Sequence, residues 1–171
     1  DYIKTIQVLS SIDMDDKSVQ YQASGHYFLG DAYYETDRLN KAIHEFQKVI
    51  TDFPNSSFVN EARIGLGWIY IKEKRYDDAV VVYESLANYT QPGELQNQAK
   101  YLLGISLKNA GHSERGDIIL EELITTSPNS QFSDNALFEL GLGYFDRENY
   151  VTAYQKFYQV TKSYSDSDVY D

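Results

Sequence analysis

Leu29-Gly30-Asp31-Ala32-Tyr33 returns as Leu66-Gly67-Trp68-Ile69-Tyr70, then as Leu103-Gly104-Ile105-Ser106-Leu107, and once more as Leu140-Gly141-Leu142-Gly143-Tyr144. Each copy stands 37 residues after the one before. Self-similarity at one fixed period of roughly 20–50 residues is the mark of an array of like units, none of which buries its apolar face alone.

Working outward from each Leu-Gly pair, more positions agree. Five residues before the glycine the side chain is small: Gly25, Ala62, Ala99, Ala136. Twelve after it another small residue stands, at Ala42, Ala79, Gly116 and Ala153. Sixteen after it come the bulky Phe46, Tyr83, Leu120 and Phe157, and nineteen after it the aliphatic Val49, Leu86, Leu123 and Val160. These spacings predict two helices per unit. The first carries the Leu-Gly face; the second carries a buried stripe such as Leu39, Ala42, Ile43, Phe46, Val49, Ile50 and Phe53. Glycine in a helix costs about 1 kcal/mol against alanine, so its return needs a closely packed neighbour. Polar breaks at Glu35-Thr36-Asp37, Glu73-Lys74, Asn109-Ala110-Gly111 and Asp146-Arg147-Glu148 separate the helices. The linkers Phe53-Pro54-Asn55-Ser56 and Ser127-Pro128-Asn129-Ser130 end one helix with proline and offer Asn or Ser to cap the next.

The pattern Leu29-Gly30-x-x-Tyr33, Ala42-x-x-x-Phe46, Pro54 resembles the tetratricopeptide repeat, and the resemblance spans nearly the whole chain. It implies an all-α fold of the α-α superhelix (solenoid) class, about nine helices in antiparallel hairpins. The unit is three residues longer than the usual 34 or so. Gln91-Pro92 and Ser165 replace the proline-bearing turn in the second and fourth units. The longer period and the Phe-Pro-Asn-Ser linker look most like bacterial envelope repeat proteins, the TolA-binding YbgF family and the BamD lipoproteins. That likeness implies the periplasm or the outer membrane, with the cytoplasm as the alternative; no targeting segment in the sequence decides between them.

Read backwards, the register makes Tyr2, Thr5 and Leu9 part of a second helix whose first helix is absent. The expected organisation is a single array: a half repeat over 1–19, then units 20–56, 57–93, 94–130 and 131–167, within a longer protein. The last helix, from Val151, carries Tyr154, Phe157 and Tyr158 and should leave part of its face exposed.

Composition sets the remaining bounds. The net charge is −11 and the isoelectric point about 4.6. Lys and Arg form no stripe able to displace phosphate counterions, so nucleic acid is not an expected partner. Mean hydropathy of −0.50, with no long apolar run, predicts no membrane span. The acidic runs Asp13-Met14-Asp15-Asp16 and Asp77-Asp78 read as solvated turns and helix starts, or as a surface for a basic partner. Cysteine is absent, which excludes disulfides and thiolate chemistry. His26, His44 and His112 fall on different kinds of element and should not converge as metal ligands. Gly65-Leu66-Gly67 and Gly141-Leu142-Gly143 lie in helical register without a phosphate-loop lysine and read as packing glycines. No catalytic residue, metal or cofactor is expected.

The resemblance also implies a concave side lined by the first helices, at set offsets from each glycine. Carried over, these places hold Tyr27, Asp31 and Tyr34, then Ile64, Trp68, Ile71 and Lys72. Further on they hold Tyr101, Ile105 and Lys108, then Phe138, Leu142 and Phe145. The set is apolar and aromatic, and it lacks the Lys and Asn of repeats that grip a C-terminal carboxylate. It predicts a non-catalytic scaffold holding a hydrophobic, aromatic or amphipathic segment of a partner protein, with Lys72 and Lys108 meeting carboxylates at that partner's edge. The alternative is a structural module that forms homo-oligomers through this groove or through its uncapped ends.

Overall fold

The computed structural model describes residues 1–12 and 18–165 of the chain, all of them helix, turn or irregular backbone. The acidic run Asp13-Met14-Asp15-Asp16 and residues 166–171, which include the last two of the fourth unit, lie outside the described residues. Among the described residues nine helices follow in order: α1 (Tyr2–Ser11), α2 (Val19–Glu35), α3 (Leu39–Asp52), α4 (Val59–Lys72), α5 (Tyr76–Tyr89), α6 (Glu94–Asn109), α7 (Ser113–Thr126), α8 (Ser133–Asp146) and α9 (Tyr150–Ser165). They gather into two compact units, Asp1–Val82 and Tyr83–Asp171, which divide within α5.

The turns inside the helical hairpins repeat as faithfully as the sequence does. Asp37, Lys74, Gly111 and Glu148, each 37 residues apart, all have positive φ, at 58°, 59°, 88° and 61°. One left-handed residue after a helix lets the next amide reach back over the last turn. The amides of Arg38, Arg75, His112 and Asn149 donate to the carbonyls of Tyr33, Tyr70, Leu107 and Tyr144 at 2.8–2.9 Å. The chain therefore reverses within three residues, and the two helices of each hairpin run antiparallel.

Between hairpins the linker serines act earlier than the sequence suggests. Ser56 Oγ accepts from the Phe58 amide at 3.2 Å and Ser130 Oγ from the Phe132 amide at 3.3 Å. Both lie ahead of the helix start, so each serine fixes the turn into the helix; Phe58 and Phe132 stand at the N-cap positions with no side-chain cap.

In the first unit α2 packs on α1, α3 and α4. Phe46 and Val49 of α3 are buried with Leu29, Ala32, Ala62 and Leu66. A buried side chain of this size contributes about 1.5–3 kcal/mol. In the second unit α6, α7, α8 and α9 pack in sequence. Leu120, Leu123, Ala136 and Leu140 form a core on which Tyr101, Phe132 and Tyr144 close. Three of the recurring glycines, Gly30, Gly104 and Gly141, have the packing reason expected of them. A Cβ on Gly30 would stand 2.7 Å from the Phe46 ring, one on Gly104 2.6 Å from Leu120, and one on Gly141 2.5 Å from Phe157.

Apolar side chains of the first and last helices stay exposed. Tyr2, Ile3 and Val8 of α1 are exposed, as are Tyr150, Val151, Tyr154 and Tyr158 of α9.

Candidate functional site

In the first unit, helical spacing sets Tyr27, Asp31, Tyr34 and Glu35 on one face of α2, and Glu61, Ile64, Gly65 and Trp68 on one face of α4. The two faces line one cleft of about 220 Å³, and the Phe46 ring lies between them. Phe46 can sit there because both flanks lack a side chain: Cβ atoms on Gly30 or Gly65 would each approach the ring to 2.7 Å. Tyr27 is fixed by Phe58, on which it stacks at 5.2 Å, and by Phe46 at 5.9 Å. Trp68 keeps 41% of its surface exposed at this cleft.

The cleft is acidic as well as aromatic. Among the described residues, Asp31, Glu35 and Glu61 have no ion-pair or hydrogen-bond partner. Burial, with the negative charge of Glu35 added, raises the Asp31 carboxyl above its ordinary value. Burial, then Asp31 and Glu61, raises the Tyr27 phenol likewise. Lys72 lies nearby on α4 but is already engaged. Its ammonium donates to Asp37 at 2.8 Å, stands 5.2 Å from the Tyr34 ring centre and feels the Glu35 carboxylate beyond ion-pair distance. Ile71 is half-buried and does not line the cleft.

The second unit holds the counterpart between α6 and α8, lined by Ile105, Lys108, Asn109, Glu139, Leu142 and Asp146 among others. Ile105, Lys108, Asn109, Glu139 and Leu142 stand two repeats on from Asp31, Tyr34, Glu35, Gly65 and Trp68 of the first cleft. Tyr101 stacks on Phe132 at 5.9 Å and 28°, as Tyr27 stacks on Phe58 at 28°. Tyr101 turns toward the Leu120 core and burial raises its phenol. Phe138, Leu142 and Phe145 remain 48%, 38% and 54% exposed, with Phe138 against Phe157 and Phe145 edge-on to Tyr150.

Here the structure departs from the expectation for Lys108. This side chain is only 15% exposed, because it folds across Gly143 instead of reaching outward. Its ammonium donates to the Glu139 carbonyl and lies 3.7 Å from Asp117 and 3.9 Å from the Glu139 carboxylate. Lys108 is an internal cation, not a free one for a partner's edge. Asp117, buried on α7, is held from the other side by Arg147 at 2.6 Å. The sequence hides this cluster, since Asp117 stands where the first two units carry Ile43 and Val80.

The histidines stay apart. His26 is bound to Glu45 at 2.6 Å and stacks on Phe53, while His44 and His112 are exposed. Among the described residues no cluster of His, Asp or Glu could hold a metal ion, and no helix is long and apolar enough to cross a membrane.

The sequence matches the family model described as tetratricopeptide repeat over residues 28–56, 61–89 and 98–130, more than half of the chain. No curated protein matches it in sequence. Among solved structures it is similar to MamA. The Desulfovibrio magneticus RS-1 form, from residue 41 to the end, aligns with TM-score 0.72 and 21% identity over 98% of this chain and 95% of that one. An RS-1 double mutant gives 0.74 and 21%, over 98% and 88%. The AMB-1 protein gives 0.72 and 19%, over 98% and 85%. At such identities the likeness establishes a shared fold.

Proposed function

The chain belongs to the tetratricopeptide repeat family, and from that premise we propose that it is a non-catalytic scaffold binding a partner protein's segment against the faces of its first helices. The observation carrying this reading is the exposure of Trp68 beside Tyr27, Tyr34 and Ile64 in the first unit and, taken separately, of Phe138, Leu142 and Phe145 in the second. Large apolar side chains clustered at the surface mark interaction sites, and aromatic residues dominate binding energy once desolvated. Trp68→Ala combined with Phe138→Ala should weaken a purified partner's binding by about 2 kcal/mol or more, the threshold of an interface hot spot. Unchanged affinity in that pair would remove the groove from the account.

A second reading, self-association, is favoured by the open aromatic faces of α1 and α9. Tyr154 and Tyr158 stack on each other at 6.1 Å with their surfaces still exposed. Sedimentation at several concentrations distinguishes the two, since a strictly monomeric species excludes the second. Placement in a bacterial cell envelope rests on the 37-residue unit and its Phe53-Pro54-Asn55-Ser56 linker alone, and fractionation of the native host tests it.

A further inference from the structure

We propose that the first-unit cleft takes a lysine or arginine side chain of the partner segment, held between the rings of Tyr27, Tyr34 and Trp68 and the carboxylates of Asp31, Glu35 and Glu61. This deepens the scaffold reading and rests on it. The volume, about 220 Å³, is below the roughly 300–1,000 Å³ of small-molecule sites, and suits one long side chain.

Two observations select a cation over an apolar occupant. The first is charge: three carboxylates converge on aromatic surface, and none has an ion-pair partner among the described residues. Asp31 is held partly out of water next to Glu35, an arrangement that like-charge repulsion disfavours until a positive group arrives. Ring faces attract that same group, and more strongly when it is desolvated.

The second observation is the chain's own second unit. Two repeats on from Asp31, Tyr34, Glu35 and Glu61 stand Ile105, Lys108, Asn109 and Asn135. There the three acidic places are neutral, and Lys108 fills the inter-helix space with its own ammonium between Asp117 and Glu139. In the first unit Tyr34 stands where Lys108 would be; the nearby Lys72 lies over the Tyr34 ring at the rim, bound to Asp37, and among the described residues no cation lines the cleft between Asp31 and Glu61. The fold thus shows in one unit the occupant that the other lacks.

The test uses a random dodecapeptide library selected on the whole chain. Winners are resynthesised with each Lys or Arg replaced by norleucine, which keeps length and removes charge. Trp68 is the only tryptophan, so its emission reports occupancy by Trp-free peptides. The expected result is winners with a basic residue beside apolar ones, and norleucine weakening them by about tenfold or more, in the range of a desolvated cation–aromatic and charge pair. Asp31→Asn with Glu61→Gln should weaken the parent peptide similarly and leave the norleucine peptide unaffected; helical circular dichroism confirms folding. Winners without a cation, or norleucine peptides that bind equally, overturn the cation assignment. If those peptides still need Trp68 and Phe138, the groove reading survives alone. If no peptide is enriched, or Trp68→Ala and Phe138→Ala change nothing, both fail.

Discussion

Gly30 on α2 and Phe46 on α3 meet so closely that a Cβ on Gly30 would stand 2.7 Å from the ring, and a Cβ on Gly65 of α4 would come as near to the ring's other edge. A ring held on both sides cannot swing away. Alanine at position 30 gains about 1 kcal/mol of helix propensity but overpacks the core, which typically costs about 1–3 kcal/mol. Gly30→Ala should therefore lower stability by up to about 2 kcal/mol in urea unfolding. Adding Phe46→Leu should cost less than the two changes separately, because the shorter side chain relieves the clash.

The left-handed turn residues give a prediction of both signs. Lys74 has φ 59° with an L side chain, whereas its counterpart Gly111 has φ 88° with open space around it. The conformation disfavours a Cβ by about 1–2 kcal/mol, partly offset by glycine's freedom in the unfolded chain. Lys74→Gly should raise stability by about 0.5–1 kcal/mol and Gly111→Ala should lower it by about 1 kcal/mol. Urea midpoints of the two variants measure this; changes of the same sign would contradict the turn geometry.

The contrast between those two residues shows where legibility in the sequence stops. Helix number, pairing and the packing role of Gly30, Gly104 and Gly141 follow from spacing, because a period forces every unit to solve the same packing problem. The turn conformation does not show at Asp37, Lys74 or Glu148, since the backbone hydrogen bond behind each overrides residue preference. The first-unit cleft is legible in part: Tyr27, Asp31, Tyr34, Ile64 and Trp68 fall at the expected register and do line one cleft. Glu35 and Glu61 fall at the same repeat offsets and supply its charge, whereas Phe46 as its floor emerges only when three helices are set together. Lys108 was illegible for another reason. Its fate depends on Asp117, thirty residues from Arg147 in sequence and at an otherwise apolar place in the repeat.

That cluster makes the next prediction. Removing one partner from a buried ion pair leaves an uncompensated charge, with losses of about 3–5 kcal/mol in fully buried cases. Arg147 is 42% exposed, so solvent screens part of the loss. Arg147→Met should lower stability by about 1–2 kcal/mol. Because Ile43 and Val80 fill the same place in other units, adding Asp117→Ile should recover most of that loss; Lys108 keeps Glu139. A double variant no better than the single one would show that Asp117 serves some purpose beyond its ion pairs.

Protonation of Asp31 ties stability and binding to pH with opposite signs. Around it stand Tyr27, Tyr34 and Glu35 on its own helix and Glu61 on α4, while Lys72 on α4 is paired with Asp37. Its folded-state carboxyl titrates above the ordinary carboxylate value. Between those two values the folded state binds more protons than the unfolded one, so this group's contribution to stability falls as pH rises through that window and stays lowered above it. Asp31→Asn should therefore be at least as stable as the parent at neutral pH. Across the acid window its Tm should lack the decline that this carboxylate adds with rising pH, as thermal melts at a series of pH values would show. A cationic peptide prefers the ionised carboxylate, so its affinity should drop as pH falls through the same window, and drop less in Asp31→Asn. Peptide affinity that rises on acidification would place the positive charge somewhere other than this cleft.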